Sequence, residues 1–224
     1  MISENLKKLE DRIEEICLKC GRNRSEIKVI AVSKTQPVEV INEVLNYGLN
    51  ELGENKAQEL RDKSELIKGD FRWHFIGHLQ TNKIKYVINS ADYIHAVDSI
   101  KLADEINRKA EQINKKQKVL LEIKTSGETA KLGLDNEKEI FEVAEFCKES
   151  SNLNLTGLMT MAPYTDDINI VRNCFIKLRE IKDKLTNNGY MLTELSMGMT
   201  NDYHIAIEEG ATMIRIGTAI FGSR

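Results

Sequence analysis

Lys28-Val-Ile-Ala-Val-Ser-Lys-Thr35 reads as a short buried strand that ends in a lysine and turns at once into a helix. Val29 to Val32 form an apolar run too short for a helix and flanked by polar residues, the signature of a strand covered on both faces. Alternation puts Ile30, Val32 and Lys34 on one face and Val29, Ala31 and Ser33 on the other. Pro37 suits a first helical turn, and Val40, Ile41, Val44 and Leu45 recur at helical spacing. A lysine at the carboxyl end of such a strand is well placed for chemistry, because partial desolvation favours the neutral amine that attacks carbonyls. The plain alternative is a lysine whose stem packs while its ammonium reaches water.

The same alternation continues outward. Before this strand, Ile2, Leu6, Leu9, Ile13, Ile16 and Cys20 mark an amphipathic helix over 2–20, closed by Gly21. After the helix at 37–47 come a weak strand at 51–54 and a helix from Asn55 to about Ile67. Strands then follow at 72–77, 93–97, 118–124, 153–161, 194–197 and 213–216. The helices between them cover 81–89, about 100–115 with Asp98 or Ser99 as cap, 137–150, 167–187 and 202–209. Eight strands with helical crossovers predict a parallel sheet closed into a single-domain (β/α)8 TIM barrel over residues 1–224. An open doubly wound sheet would want a Gly-rich turn after the first strand, and none is present. Thr218 to Arg224 is too short for a full closing helix, so the N-terminal helix is expected to cover the gap between the first and eighth strands.

Composition narrows the function classes. The chain has 224 residues, 41% of them hydrophobic, and a net charge of −3, which argues against a nucleic-acid surface. No apolar run reaches the roughly 18 residues of a membrane span, and the first ten residues lack a signal-peptide core, so a cytoplasmic protein is expected. Four cysteines are too few for a disulfide scaffold. Cys17-Leu-Lys-Cys20 closes a helix instead of opening one, so structural roles are expected.

In a barrel of this kind the site lies at the carboxyl ends of the strands, with phosphate commonly held after strands seven and eight. Ser196-Met-Gly-Met-Thr-Asn-Asp202 offers hydroxyls, a glycine and a helix start; Gly217-Thr218 follows strand eight. Both suit an anion, and both also suit ordinary turn chemistry. Alternation aims Arg215 into the barrel mouth with Met213 and Gly217, where it needs either a structural carboxylate or a ligand acceptor. An inward lysine, a phosphate cradle and an inward arginine fit a phosphorylated aldehyde. Pyridoxal 5′-phosphate matches all three through its aldehyde, phosphate and ring nitrogen; a lysine-dependent aldolase would use the first two.

Ala31-Val-Ser-Lys-Thr35, Gly53-Glu-Asn55 with Gln58-Glu59, Trp73-His-Phe-Ile-Gly77 with Leu79-Gln80 and Asn82-Lys83, and Ser196-Met-Gly-Met199 through Arg215-Ile-Gly217 resemble the YggS/PROSC family of pyridoxal phosphate homeostasis proteins. The resemblance spans nearly the whole chain. It implies a fold like the N-terminal barrel of alanine racemase, with Lys34 as the imine lysine and Arg215 at the pyridine nitrogen. It further implies phosphate contacts from Ser196 to Thr200, including Gly198, and from Gly217 and Thr218. Asn55 is either a cofactor contact or a helix cap. The expected role is to hold the cofactor without turnover, as a monomer serving pyridoxal-phosphate-dependent apoenzymes. The alternative is a racemase-like enzyme. Racemases of this resemblance add a β-rich domain with a catalytic tyrosine, which is not expected in a chain ending at Arg224. His74 is expected to be a satisfied core histidine, and no metal site is expected from the histidine spacing. Lys131 offers a second amine in the loop 125–136.

Overall fold

The computed structural model describes residues 1–126 and 133–222. Among them, helix α1 (Ile2–Cys20) leads into β1 (Lys28–Val32) and α2 (Val38–Asn46). Then come β2 (Glu51–Glu54), α3 (Ala57–Leu66) and β3 (Arg72–Phe75), a 3-10 turn at Thr81–Lys83, and α4 (Ile84–Val87). The middle of the chain supplies β4 (Tyr93–Val97), α5 (Ile100–Glu111), β5 (Gln117–Glu122), α6 (Glu137–Glu149), β6 (Leu153–Met159) and α7 (Ile168–Asn187). It ends with β7 (Glu194–Met199), α8 (Tyr203–Glu208), β8 (Met213–Ile216) and α9 (Thr218–Phe221). The strands close in chain order into a parallel barrel, β8 returning to β1 with Ile30 opposite Arg215.

Most expected elements are present, and the differences have local causes. Pro37 lies outside α2 as its N-cap, at φ −70° and ψ 159°, because a proline there can extend the chain before the first turn. The helix expected over 81–89 breaks into the 3-10 turn and one turn of α4. The strands expected to run to 77, 124 and 161 stop at Phe75, Glu122 and Met159, while β7 runs on to Met199. Ser99 is the cap of α5, accepting from the Leu102 N–H.

The apolar core lies mainly outside the barrel, between strands and helices. Val29, Ala31, Trp73, Phe75, Val119, Leu121, Ile214 and Ile216 all face it. Inside the barrel the apolar cluster shrinks to Ile30, Tyr93, Leu120, Met159 and Met213. Barrel interiors are normally filled by branched aliphatic side chains; here much of that space is taken by His74, His95, Ser196 and Arg215, all buried.

Helix α1 does what its stripe requires. Ile2, Leu6, Leu9, Ile13, Ile16 and Cys17 are buried, and the helix packs on α2, α8 and α9. The Asn5 side chain donates to the Ile220 carbonyl at 2.9 Å, tying α1 to the one-turn α9. Each such aliphatic contributes roughly 1.5–3 kcal/mol when fully buried, so the start of the chain completes the outer helical layer beside the one-turn α9.

Candidate functional site

A cavity of about 620 Å³ opens at the carboxyl ends of the strands. Lys34 lines it from just beyond β1, Asn55 from beyond β2, Thr200 to Asp202 from beyond β7, Arg215 from β8, and Gly217-Thr218 from the next turn. Val32, Ile76, Met161, Ala162 and Ile205 supply apolar wall. A second hollow of about 350 Å³ shares Val32, Lys34, Gly217 and Thr218 with the first. The period-two pattern of the strands explains part of the convergence. Ile30 and Met213 point into the barrel, and Arg215, two residues on from Met213 within β8, points to the same side, while Lys34 reaches the cavity from the turn that follows β1.

Arg215 is the most buried charge in the site, with 4% of its surface exposed. Its Nη1 donates to Ser196 Oγ at 2.7 Å and its Nη2 to the Thr160 carbonyl at 2.8 Å. Among the described residues its hydrogen-bonding partners are thus a hydroxyl and a carbonyl, not the structural carboxylate weighed from sequence. Burial pulls its pKa down to about 10, with Asp202 and Glu122 opposing at longer range. The guanidinium therefore keeps its charge at neutral pH.

Behind Arg215 a chain of hydrogen bonds crosses the barrel. Ser196 Oγ lies 2.9 Å from His95 Nδ1, His95 Nε2 lies 2.8 Å from His74 Nδ1, and His74 Nε2 lies 2.7 Å from Glu51 Oε2. Burial lowers the pKa of both imidazoles, that of His95 strongly, so each carries one ring proton. Neutrality then decides every direction. Glu51 can only accept, so His74 donates through Nε2 and accepts at Nδ1. His95 donates to it through Nε2, and Ser196 donates its hydroxyl proton to His95 Nδ1. The Ser196 oxygen is left to accept from Arg215. One orientation satisfies the whole chain, and it ends by fixing the guanidinium. His74 is the satisfied core histidine expected from sequence. The partnership with His95 was not legible there.

Two residues grouped with the binding set from sequence stand behind the cavity wall. Ser196 is fully buried and supports Arg215. Gly198 sits at φ +92°, and a Cβ there would lie 2.6 Å from the Ala206 Cβ, so close packing of α8 on β7 demands glycine. Between Ser196 and Met199 the pairing with β8 shifts, three steps on β7 matching two on β8. Such an irregularity re-aims the following residue, and Thr200 follows it. Thr200 Oγ1 accepts from the Ala219 N–H at 3.4 Å, joining the loops after β7 and β8.

Asn55 does not cap α3, whose N-cap is Lys56 without a side-chain bond. Its Oδ1 is buried with no hydrogen-bond partner among the described residues, although the residue lines the cavity. Gly77 holds it there: a Cβ at Gly77 would stand 2.1 Å from the Asn55 carbonyl oxygen. At Gly217, by contrast, a Cβ would meet nothing nearer than the Val32 Cβ at 3.8 Å, so packing by the protein does not demand glycine at that point of the wall.

Sequence reasoning missed Glu122, Glu54 and Lys63. Burial, with Asp98 adding to it, raises the Glu122 carboxyl to about 7 at the end of β5. Glu54 and Lys63 form a buried ion pair at 2.7 Å beside Ser33. Glu54 stood inside the quoted Gly53-Glu-Asn55 motif, which was its available signal. Lys131 lies outside the described residues. Among those residues no cluster of three or more His, Cys, Asp or Glu could hold a metal ion, and no helix is long and apolar enough to cross a membrane.

The chain matches the family described as alanine racemase, N-terminal domain, over residues 5–224. It is 45% identical over 225 residues to the pyridoxal phosphate homeostasis protein of Aquifex aeolicus, covering 99% of this chain and 97% of that one. Among solved structures, PipY of Synechococcus elongatus with pyridoxal phosphate bound superposes with a TM-score of 0.87. It shares 31% identity, covering 99% of this chain and 100% of PipY. Alanine racemase of Clostridium difficile superposes with a TM-score of 0.78 at 19% identity, this chain spanning 57% of it; that likeness concerns the fold.

Proposed function

This chain belongs to the pyridoxal phosphate homeostasis proteins, built on the alanine racemase N-terminal domain, and on that premise we propose that it holds pyridoxal 5′-phosphate in the cavity through Lys34 without turnover of its own. The observation that carries the reading is the convergence of Lys34, Arg215, Thr200 and Thr218 on one cavity. The residues present fit the cofactor. Asn55 contributes a buried oxygen wanting a donor, which the cofactor's ring hydroxyl would supply, Gly217 a stretch of wall that packing does not explain, and Arg215 a charge whose protein partners leave donors to spare.

Bound pyridoxal phosphate supplies an aldehyde carbon, a phosphate and a pyridine nitrogen. Lys34 would supply the amine that holds the aldehyde carbon. The hydroxyls of Thr200 and Thr218, with the backbone at Gly217, bind the phosphate across the loops that Ala219 ties together. Arg215 donates a hydrogen bond to the ring nitrogen and keeps its own proton, since a pKa of about 10 lies well above neutrality. A ring nitrogen that receives a hydrogen bond without a proton is a weak electron sink, a property shared by holding and racemisation; the relatives' homeostasis names are what support holding. Ser196 and Gly198 act from behind, the first by orienting Arg215 and the second by setting the turn before Thr200. We further infer a cytoplasmic monomer that passes its cofactor to pyridoxal-phosphate-dependent apoenzymes; the relatives' homeostasis names support that role.

The test is borohydride treatment of the cofactor-loaded protein followed by peptide mass mapping. The adduct is expected on Lys34; a major adduct on Lys124 or Lys131 refutes the assignment. Loaded protein incubated with L- or D-alanine in deuterated water is expected to show no Cα exchange. Exchange with inversion that depends on Lys34 makes the protein a racemase.

A further inference from the structure

Thr35, next to the cofactor lysine of the preceding reading, has φ +64°. For a β-branched residue this is a true backbone outlier, one that persists only where its surroundings hold it. Its surroundings are a compact ion cluster. The Thr35 N–H donates to Glu59 Oε1 at 2.5 Å. The buried Lys63 ammonium donates to the same Glu59 oxygen, to Glu54 Oε1 and to the Ser33 carbonyl, each at 2.7 Å. Ser33 Oγ donates to Glu54 Oε1, also at 2.7 Å.

The arrangement has a particular geometry. The Ser33 carbonyl belongs to the peptide plane before the Lys34 α-carbon, and the Thr35 N–H belongs to the plane after it. Lys63 holds the first and Glu59 holds the second, and the two side chains sit one helical turn apart on α3, bonded to each other. Both backbone dihedrals of Lys34 are thereby clamped from outside the cavity. The direction of its Cα–Cβ bond follows from those dihedrals. None of Glu54, Glu59 and Lys63 lines the cavity.

We propose that Glu59 and Lys63, with Glu54 behind them, are positioning residues that hold the strained Ser33-Lys34-Thr35 turn so that the Lys34 amine is presented to an aldehyde carbon, the C–N bond forming as the aldehyde oxygen leaves as water with the two amine protons. The inference rests on Lys34 being the attachment point, and it concerns covalent capture, not the grip on phosphate or ring. A cluster that merely braced β1 against α3 would affect stability and every ligand alike. A positioning cluster discriminates between ligands that use the Lys34 amine and ligands that do not.

The experiment compares pyridoxal 5′-phosphate with pyridoxamine 5′-phosphate, which has no aldehyde, on wild type, Glu59→Ala, Glu59→Gln and the double variant Glu59→Ala/Thr35→Gly. Binding is followed by fluorescence, and attachment by the visible spectrum and its pH profile. Glu59→Ala is expected to weaken pyridoxal phosphate about tenfold, the equilibrium equivalent of one residue leaving a sparsely populated backbone region, and to leave pyridoxamine phosphate unchanged. Glu59→Gln keeps an acceptor for the Thr35 N–H and should recover most of the loss. Thr35→Gly should rescue Glu59→Ala, because glycine adopts φ +64° without a clamp. Equal losses for both ligands, or no loss for either, overturn the positioning role. A wild-type protein that binds both ligands but yields no borohydride adduct on Lys34 overturns the attachment reading itself, and the inference with it.

Discussion

Replacing Arg215 by methionine should make the cofactor-free protein more stable while impairing cofactor binding. The guanidinium is 4% exposed, and burial brings its pKa down from the ordinary arginine range to about 10. At ~1.4 kcal/mol per pH unit the charged form is disfavoured in the fold by ~3 kcal/mol. The sign is that of a base with a depressed folded pKa: the penalty is fully present below about pH 10 and is relieved only as pH rises beyond it. Methionine fills similar volume without charge, and such exchanges of buried ions are often stabilising. Against the gain stands the Thr160 carbonyl, which loses the Nη2 donor at a cost of ~1–2 kcal/mol. Ser196 still donates to His95, so its hydroxyl is not orphaned. The balance is ~1–2 kcal/mol in favour of the variant, or ~3–6 °C in melting temperature for a chain of this size. The assay is thermal unfolding at pH 7.5 of wild type and Arg215→Met, both stripped of cofactor because bound ligand adds its own stabilisation. Pyridoxal phosphate titration of each accompanies it. A variant that melts several degrees lower, or that binds the cofactor as wild type does, refutes the view that this charge is kept for binding at the expense of stability.

Three further outcomes follow from the same geometry. Thr200→Val with Thr218→Val should weaken pyridoxal phosphate by at least about a hundredfold and unphosphorylated pyridoxal hardly at all, since each hydroxyl bond to a charged group contributes ~1.5–3 kcal/mol; equal losses in a fluorescence titration rule out the cradle. Ile13→Ala should cost ~2–5 kcal/mol because Ile13 is wholly buried where α1 completes the outer helical layer; an unchanged urea midpoint contradicts that packing. The depressed pKa of buried His95 means that stability is lost as pH falls below its unfolded value near ~6.5. Glu122, raised to about 7, has the opposite slope. The informative quantity is therefore the difference in melting temperature between wild type and His95→Gln from pH 7.5 to 5. It should shrink or reverse toward acid pH, and a constant difference argues against a neutral imidazole chain.

The order of amino acids by itself determined the barrel, because its signals are local. Apolar runs of strand length, helical spacing between them and the stripe on residues 2–20 report which face each segment must bury. The same period-two rule sent Arg215 inward, counted from Met213, and pointed Lys34 to the side of Ile30, although the turn after β1 is what delivers Lys34 to the cavity. Tertiary structure alone decided what surrounds them. His95 and Ser196 meet across 101 positions of chain, and Glu59 reaches Thr35 across 24. No periodicity within one segment encodes such distances. Ser196 and Gly198 read as cavity residues because they lead directly into the Met199–Asp202 segment that lines it, although both lie within β7. The shifted pairing of β7 with β8 turns Thr200 to the cavity and leaves those two behind it. A strand pattern specifies a face, whereas the partner a buried polar group finds on that face exists only once the barrel has closed.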